Sequence, residues 1–409
     1  MILASIALGL FASVLLLPTL SDLLSLLRLA TGRRPRTPPP GASTPRFLFL
    51  VPAHDEELLL PACLESLKRG AYPPDRVSIV VIADNCRDRT AEIARAAGVR
   101  CLERNAPTDP GKPRAIAWAL SQLEASAYDG VVIVDADTEV DRDFAAQLAR
   151  AAPIAGKALQ PYNGVSNRTE NALTRMGAVL SQVNHGLAYV LKTRAGVNVP
   201  LSAGMCIGSG VLATHGWTVN SLSEDWELYA LLTTRGVSIE SVPGARIRAQ
   251  EASNLKSSAS QRRRWTAGKV AVLWKYAWPL IWSGRAAVAR RLDALAELSA
   301  VGPVLHFGVV SLTVATTLLL QPPGWTWLVA MLGAGLLRPL IYTIGAVATD
   351  PEPGRAVGAF LFLPFYAVWR LYAAVTTLAM LGGRPWVRTA RTEPARPELH
   401  PRPSDSIVR

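Results

Sequence analysis

Residues 130–143 read GVVIVDADTEVDRD, an apolar and largely β-branched run that ends in a burst of acid. Residues 131–134 have the length and composition of a strand buried on both faces in the middle of a sheet. Asp135 and Asp137 then fall at its carboxyl end, where open α/β sheets place their ligand crevice and where a nucleotide is expected. Two carboxylates two residues apart on extended backbone point to one side. Together they suit a hard divalent cation bridging to phosphate oxygens, Mg²⁺ or Mn²⁺ rather than zinc. The same Asp-Ala-Asp fits a solvated turn equally well, so the rest of the chain has to decide.

Upstream, strand and helix patterns alternate. Residues 46–54, RFLFLVPAH, read as a strand. Asp55-Glu56-Glu57 leads into a helix carrying Leu60, Cys63, Leu64 and Leu67 and ended by Gly70. Residues 77–83, VSIVVIA, form a second strand, 90–97 a helix, 99–102 a short strand and 115–123 another helix. That succession is a doubly wound α/β sheet. Asp84 ends its strand as Asp135 ends its own; a carboxylate there accepts hydrogen bonds from a base or ribose, or else caps the next turn. Lys112, at a helix entrance, is placed either to reach a phosphate or to be solvated surface.

Downstream, 157–165 reads as an edge strand and 173–191 as a helix with His185 as packing or polar filler. Residues 201–210, LSAGMCIGSG, are small enough for close backbone approach. Ser223 is placed to cap a helix opening Glu224-Asp225-Trp226-Glu227, whose acids complement the helix dipole with or without chemistry. A strand at 237–242 precedes Gln261-Arg262-Arg263-Arg264-Trp265.

The chain has 409 residues, half of them hydrophobic, and a formal charge of +12. The apolar residues concentrate in the first thirty positions and after about residue 294, which separates membrane segments from a soluble middle. The basic residues cluster beside those segments, in Arg33, Arg34 and Arg36, in Arg262, Arg263 and Arg264, and after Arg384. That placement suits anionic headgroups and excludes a nucleic-acid groove. Cys63, Cys86, Cys101 and Cys206 have no metal-like spacing and read as reduced cytosolic thiols.

Residues 2–20 approach the ~20 apolar residues that cross a bilayer and lack a signal peptide's basic start and cleavage site, so a retained anchor is expected. Arg28, Arg33, Arg34, Arg36 and Arg46 follow, which puts the amino terminus outside and the next domain in the cytoplasm. Pro35, Pro38, Pro39 and Pro40 make a stiff spacer. Trp274, Trp278 and Trp282 share one helical face near Lys269, Lys275 and Arg285, as on a helix lying at the headgroup level. Runs 295–320, 325–348 and 357–381 have spanning length but contain Glu297 and His306, Arg338, and Arg370. Such residues face protein or a wet cavity. Three spans would leave the basic tail outside, so 357–381, with Pro364, is expected to be interfacial or re-entrant. The divisions are an anchor at 1–30, a spacer at 31–45, a catalytic domain at 46–265, interfacial helices at 266–292, a membrane region at 293–382 and a basic tail at 383–409.

Asp84, Asp135-Ala136-Asp137, Ser223-Glu224-Asp225 and Gln261 to Trp265 stand in the order D, DxD, (T)ED, QxxRW. The chain thereby resembles the family 2 glycosyltransferases, which include cellulose, chitin and hyaluronan synthases. The stretches VPAHDEE, VVIADNCRDRTAEIARAAG and GRPWVRT are most similar to bacterial exopolysaccharide glycosyltransferases of that family. The resemblance implies an α/β, Rossmann-like GT-A domain on the cytoplasmic side of a bacterial plasma membrane, between N- and C-terminal transmembrane helices. It implies a nucleotide-diphosphate sugar donor, by family habit a UDP-sugar, and inversion at the anomeric carbon. Asp84, Asp135, Glu56 and Lys112 would bind the donor nucleotide, Asp137 with Asp135 the metal, and Asp225 would be the base. Arg264 and Gln261 would serve the diphosphate, Trp265 and Glu224 the acceptor. Implied partners are the nucleotide sugar, a glycan or lipid-linked acceptor, membrane lipids and other polysaccharide-export components. Ser223 replaces the usual threonine and Asp55 the usual asparagine.

The chemistry asks for the same parts. A leaving nucleoside diphosphate needs its charge stabilised by a metal and an arginine, and the attacking hydroxyl needs a carboxylate base. Polysaccharide synthesis is the first expectation; single addition to a lipid needs the same donor site, and a silent scaffold predicts a missing carboxylate.

Overall fold

The computed structural model describes residues 2–32 and 44–379. The spacer residues Arg33, Arg34, Pro35, Arg36, Pro38, Pro39 and Pro40 and the basic tail, with GRPWVRT, lie outside the described residues. Helix α1 (Ile2–Ala30) continues past the apolar run and so carries Asp22. Then come β1 (Phe47–Ala53), α2 (Leu60–Lys68), β2 (Val77–Asp84), α3 (Thr90–Ala96), β3 (Arg100–Arg104), α4 (Lys112–Ser121), β4 (Gly130–Ile133), β5 (Thr138–Val140) and α5 (Phe144–Ala149). Strand β1 pairs in parallel with β2 and β4, and β2 with β3. The order therefore reverses between β1 and β4, the switch point of a doubly wound sheet. Phe47, Phe49, Val51, Val132 and Val134 enter one core, while Leu48, Leu50, Val131 and Ile133 enter the other. Strands β1 and β4 are apolar at every position because both their faces are covered.

The second half makes the sheet mixed. Strand β6 (Lys157–Val165), helices α6 (Ala172–Ser181) and α7 (Tyr189–Arg194), β7 (Cys206–Gly208), α8 (Ser209–His215), α9 (Glu224–Thr234) and β8 (Ser238–Ala249) complete the order β3-β2-β1-β4-β7-β6-β8-β5. Strand β7 runs antiparallel to β4 and β6, and β5 to β8. The expected edge strand at 157–165 is interior, held by β7 on one side and β8 on the other. The small residues of 201–210 permit this, since a β-carbon on Gly208 would strike the carbonyls of Ile154 and Ala155. A π-helical stretch, Gln182–Ala188, joins α6 to α7 and buries His185 between Tyr162 and Tyr189.

Helix α10 (Leu255–Trp282) runs unbroken through the expected boundary at 265. It buries Val272, Tyr276 and Leu280 against the domain and exposes Trp274, Trp278 and Trp282 on the opposite side. Next are α11 (Val288–Ser299), α12 (Pro303–Leu320), α13 (Trp325–Gly335), α14 (Leu337–Ala348), α15 (Pro353–Phe360) and α16 (Leu363–Ala379). The expected run 295–320 is broken between Ser299 and Pro303, so Glu297 lies on a separate amphipathic helix and not inside a span. Three described helical segments are long and apolar enough to cross a membrane: Ser5–Ala30, Pro303–Leu320 and Trp325–Ala348. Helices α15 and α16 are bent by 52° at their break, the geometry of a broken span or re-entrant loop.

A buried charge network ties these helices to the α/β domain. Lys192 on α7 is fully buried and ion-paired with Asp293 of α11, with Glu297 at 3.2 Å and Asp22 of α1 at 3.8 Å. Arg338 of α14 closes the ring, 2.8 Å from Asp22 and 2.6 Å from Glu297. Each charge has an opposite partner, the condition under which buried ions are tolerated.

Candidate active site

The alternation that sends Val131 and Ile133 into the α4 and α9 core places Asp135 on the same side. There Lys112, at the start of α4, reaches Asp135 at 2.5 Å and Glu224, at the start of α9, at 2.9 Å. One ammonium group thus joins the DxD and ED segments. Burial opposes the Lys112 charge, but Asp135 and Glu224 outweigh it and hold the lysine well above its usual range. Gly111, with φ of +129°, gives α4 an entry that most side chains would strain.

Of the two backbone readings that the DxD spacing leaves open, the structure takes the turn. Thr138 N–H donates to the Asp135 carbonyl at 3.0 Å, so the segment is a tight turn with Asp137 within it. Both carboxylates still share one locale, since both add to the burial that pushes the Cys63 thiol upward. Partly exposed Asp135 and Asp137 fit Mg²⁺ or Mn²⁺, which take one or two carboxylates and complete their shell with water and phosphate oxygens. A second cluster, Asp55, Cys86 and Asp88, brings potential ligand atoms close together. Its oxygens are occupied by turn amides, with Arg87 N–H on Asp55 at 2.7 Å and Glu57 and Thr90 N–H on Asp88 at 3.0 and 2.9 Å. Asp55 therefore performs the bridging that its turn needs, at a φ of +54°.

Asp225 follows Glu224 in the first turn of α9 and accepts a hydrogen bond from Trp226 N–H at 2.8 Å. Burial first, and then the neighbouring Glu224 carboxylate, push its pKa up to about 7, against the pull of that amide and of Lys112. The group is thus poised between acid and base near neutrality. Ser223 holds the cap position, but its hydroxyl makes no cap bond. Instead α10 crosses directly over it, where a β-carbon on Gly268 would overlap the Ser223 hydroxyl. That crossing sets the QxxRW segment beside α9. Gln261 Oε1 and Arg264 Nε are buried with no hydrogen-bond partner among the described residues, whereas Trp265 is 41% exposed. A buried guanidinium nitrogen without a partner is costly unless a ligand supplies one.

Two further expected nucleotide residues have partners of their own. Asp84 is buried at the end of β2, where Arg104 Nη1 at 2.8 Å and Asn85 Nδ2 at 3.0 Å both donate to its Oδ1. Arg104 was not visible as a site residue; its signal is its place directly opposite Asp84 in the β2/β3 register. Glu56 lies in the turn after β1, with its N–H on Thr90 Oγ1 at 2.8 Å.

A mixed α/β sheet with acids at the switch point defines the GT-A class of nucleotide-sugar-binding domains. Residues 45–268 match the sequence profile described as glycosyltransferase like family 2, and the chain belongs to that family. It is 26% identical over 250 residues to the probable glycosyltransferase YdaM of Bacillus subtilis, covering 57% of each chain. It is also 26% identical over 236 residues to beta-monoglucosyldiacylglycerol synthase of Synechocystis, covering 55% of this chain and 48% of the relative. The chain thus matches about half the length of these curated relatives. The mannosyltransferase PcManGT of Pyrobaculum calidifontis, solved with GDP-Man and Mn²⁺, shares the fold with a TM-score of 0.58 and 20% identity, over 91% of this chain and 98% of that one.

A role for Asp225 as general base carries a pH dependence that can be measured. With both substrates limiting, so that the free enzyme is sampled, the rate should rise with pH through a limb near 7, as the carboxyl loses its proton. Lys112→Met removes a charge that lowers this pKa, so the limb should move to higher pH; a pH–rate profile of both proteins checks it.

Proposed function

We propose that the chain is a membrane-held, inverting glycosyltransferase that moves one sugar from a nucleotide-diphosphate sugar, a UDP-sugar by family habit, to a hydroxyl of a lipid acceptor. What carries the reading is the Lys112 bridge, which holds the DxD turn and the Asp225 helix start in one site. Asp225 takes the proton of the acceptor hydroxyl as its oxygen bonds to the anomeric carbon, and the bond to the nucleoside diphosphate breaks on the opposite face. Arg264 is suited to the charge that collects on the departing phosphate. A divalent ion held by Asp137 and Asp135 would neutralise that charge further. Lys112 keeps Asp135 and Glu224 oriented, and Trp265 offers an exposed apolar face to a sugar ring.

The lipid acceptor is favoured over a growing polysaccharide on one observation: the curated relatives include synthases named for glucosyldiacylglycerol. The apolar helices then hold the domain on the cytoplasmic face of the membrane, with the Trp274, Trp278 and Trp282 face of α10 at the headgroup level. Protein reconstituted in vesicles of native lipid and given a radiolabelled UDP-sugar should place label in the lipid phase. Chelation should abolish this, and Mn²⁺ or Mg²⁺ should restore it. Label in a water-soluble polymer would favour the polysaccharide reading instead, with export components as partners.

A further inference from the structure

A cavity of about 150 Å³ lies under the start of α9, on the side facing the apolar helices. Its domain wall includes Trp226, Tyr189 and Lys269; its other wall comes from α1, α11, α12 and α14, with Glu297 and Arg338 as its charged groups and His306 beside them. Trp226 is adjacent to Asp225 in the chain, and Tyr189 is close enough to feel the Asp225 charge. Lys269 lies one turn beyond Trp265 on the same face of α10, which puts this wall of the cavity one helical turn from the QxxRW segment.

The Lys269 ammonium rests 4.2 Å from the centre of the Trp226 ring and donates to the Ala300 carbonyl at 2.6 Å. Burial lowers its pKa to about 8, with Glu297 opposing that fall. Arg338 is engaged by Asp22 and Glu297. The lining therefore combines cations with a carboxylate, which suits a neutral, hydrogen-bonding head better than a phosphate. The volume falls below the ~300–1,000 Å³ of sites for drug-sized ligands, so it admits a small polar head and not an oligosaccharide. Polar residues on otherwise apolar spanning helices mark such wet paths.

Resting on the glycosyltransferase reading above, we infer that this cavity is the acceptor subsite. It receives the neutral, hydroxyl-bearing head of a membrane lipid from between α1, α12 and α14 and presents its hydroxyl to Asp225.

The test uses the full chain in phosphatidylcholine vesicles that carry dioleoylglycerol, or a polyprenyl phosphate in a second arm. Two readouts are taken, nucleoside-diphosphate release without acceptor and sugar transfer to lipid. Ala300→Phe narrows the cavity at the break between α11 and α12, and Lys269→Gln removes the charge but keeps a donor for the Ala300 carbonyl. Both variants should lower kcat/KM for dioleoylglycerol at least tenfold, with donor KM and acceptor-free release within twofold of the parent. Unchanged lipid transfer in both variants would overturn the subsite, as would losses in lipid transfer and donor turnover that run in parallel. Transfer to the phosphate but not to the glyceride would overturn the neutral head. Absence of donor turnover in the parent protein sinks the glycosyltransferase reading itself, and the subsite with it.

Discussion

Asp225→Asn should lower kcat roughly 10²–10⁴-fold, the usual contribution of a positioned general base, while leaving donor KM close to that of the parent. The substitution keeps size and shape, and the amide oxygen can still accept the Trp226 N–H that the carboxylate accepts at 2.8 Å. Helix α9 should therefore keep its start. Were Asp225 present only to complement the helix dipole, its loss would be worth ~0.3–1 kcal/mol of stability and little activity. Steady-state kinetics alongside a thermal melt separates the two. The pKa of about 7 sharpens the expectation, because a carboxyl that has lost burial and the Glu224 charge has no reason to titrate there.

Lys192→Met should cost about 3–5 kcal/mol, the penalty for removing one partner of a buried ion pair. It strands Asp293, which faces the fully buried Lys192 across the junction between the α/β domain and the apolar helices, while Glu297 keeps Arg338 at 2.6 Å. Arg69→Ala, which removes a surface pair with Glu65, should change stability by less than about 1 kcal/mol. Unfolding in detergent, followed for both variants, gives the comparison. The loss in Lys192→Met should appear first as separation of the helices from the domain, since Asp22, Glu297 and Arg338 share the same ring.

The sequence made β1, β2 and β4 legible because each is a local apolar run closed by polar residues, and a strand buried on both faces announces itself that way. Strand β7 is three residues of a small-residue segment, and its pairing with β4 and β6 is decided far away in the chain. The interior place of β6 was hidden for that reason. The break between α11 and α12 did have a signal, Gly302-Pro303, which the continuous hydropathy of 295–320 masked. Among site residues, spacing singled out the acids and the QxxRW segment. It left the backbone of Asp135 and Asp137 open, because a turn and an extended strand end share the same letters. The Lys112 bridge, the Asp84–Arg104 pair and the Lys192 ring join positions that only the tertiary fold brings together.

In the proposed function Asp137 and Asp225 act on a nucleotide sugar within one site. Its most direct measurement is nucleoside-diphosphate release by the purified full chain with native lipid, across UDP-, GDP- and dTDP-sugars. The parent would be compared with Asp137→Ala and Asp225→Asn, each with and without Mn²⁺ or Mg²⁺. Metal-dependent release from one donor class, and its loss in both variants, is the expected result. Release that survives in both, or none from any donor by folded protein, would contradict it.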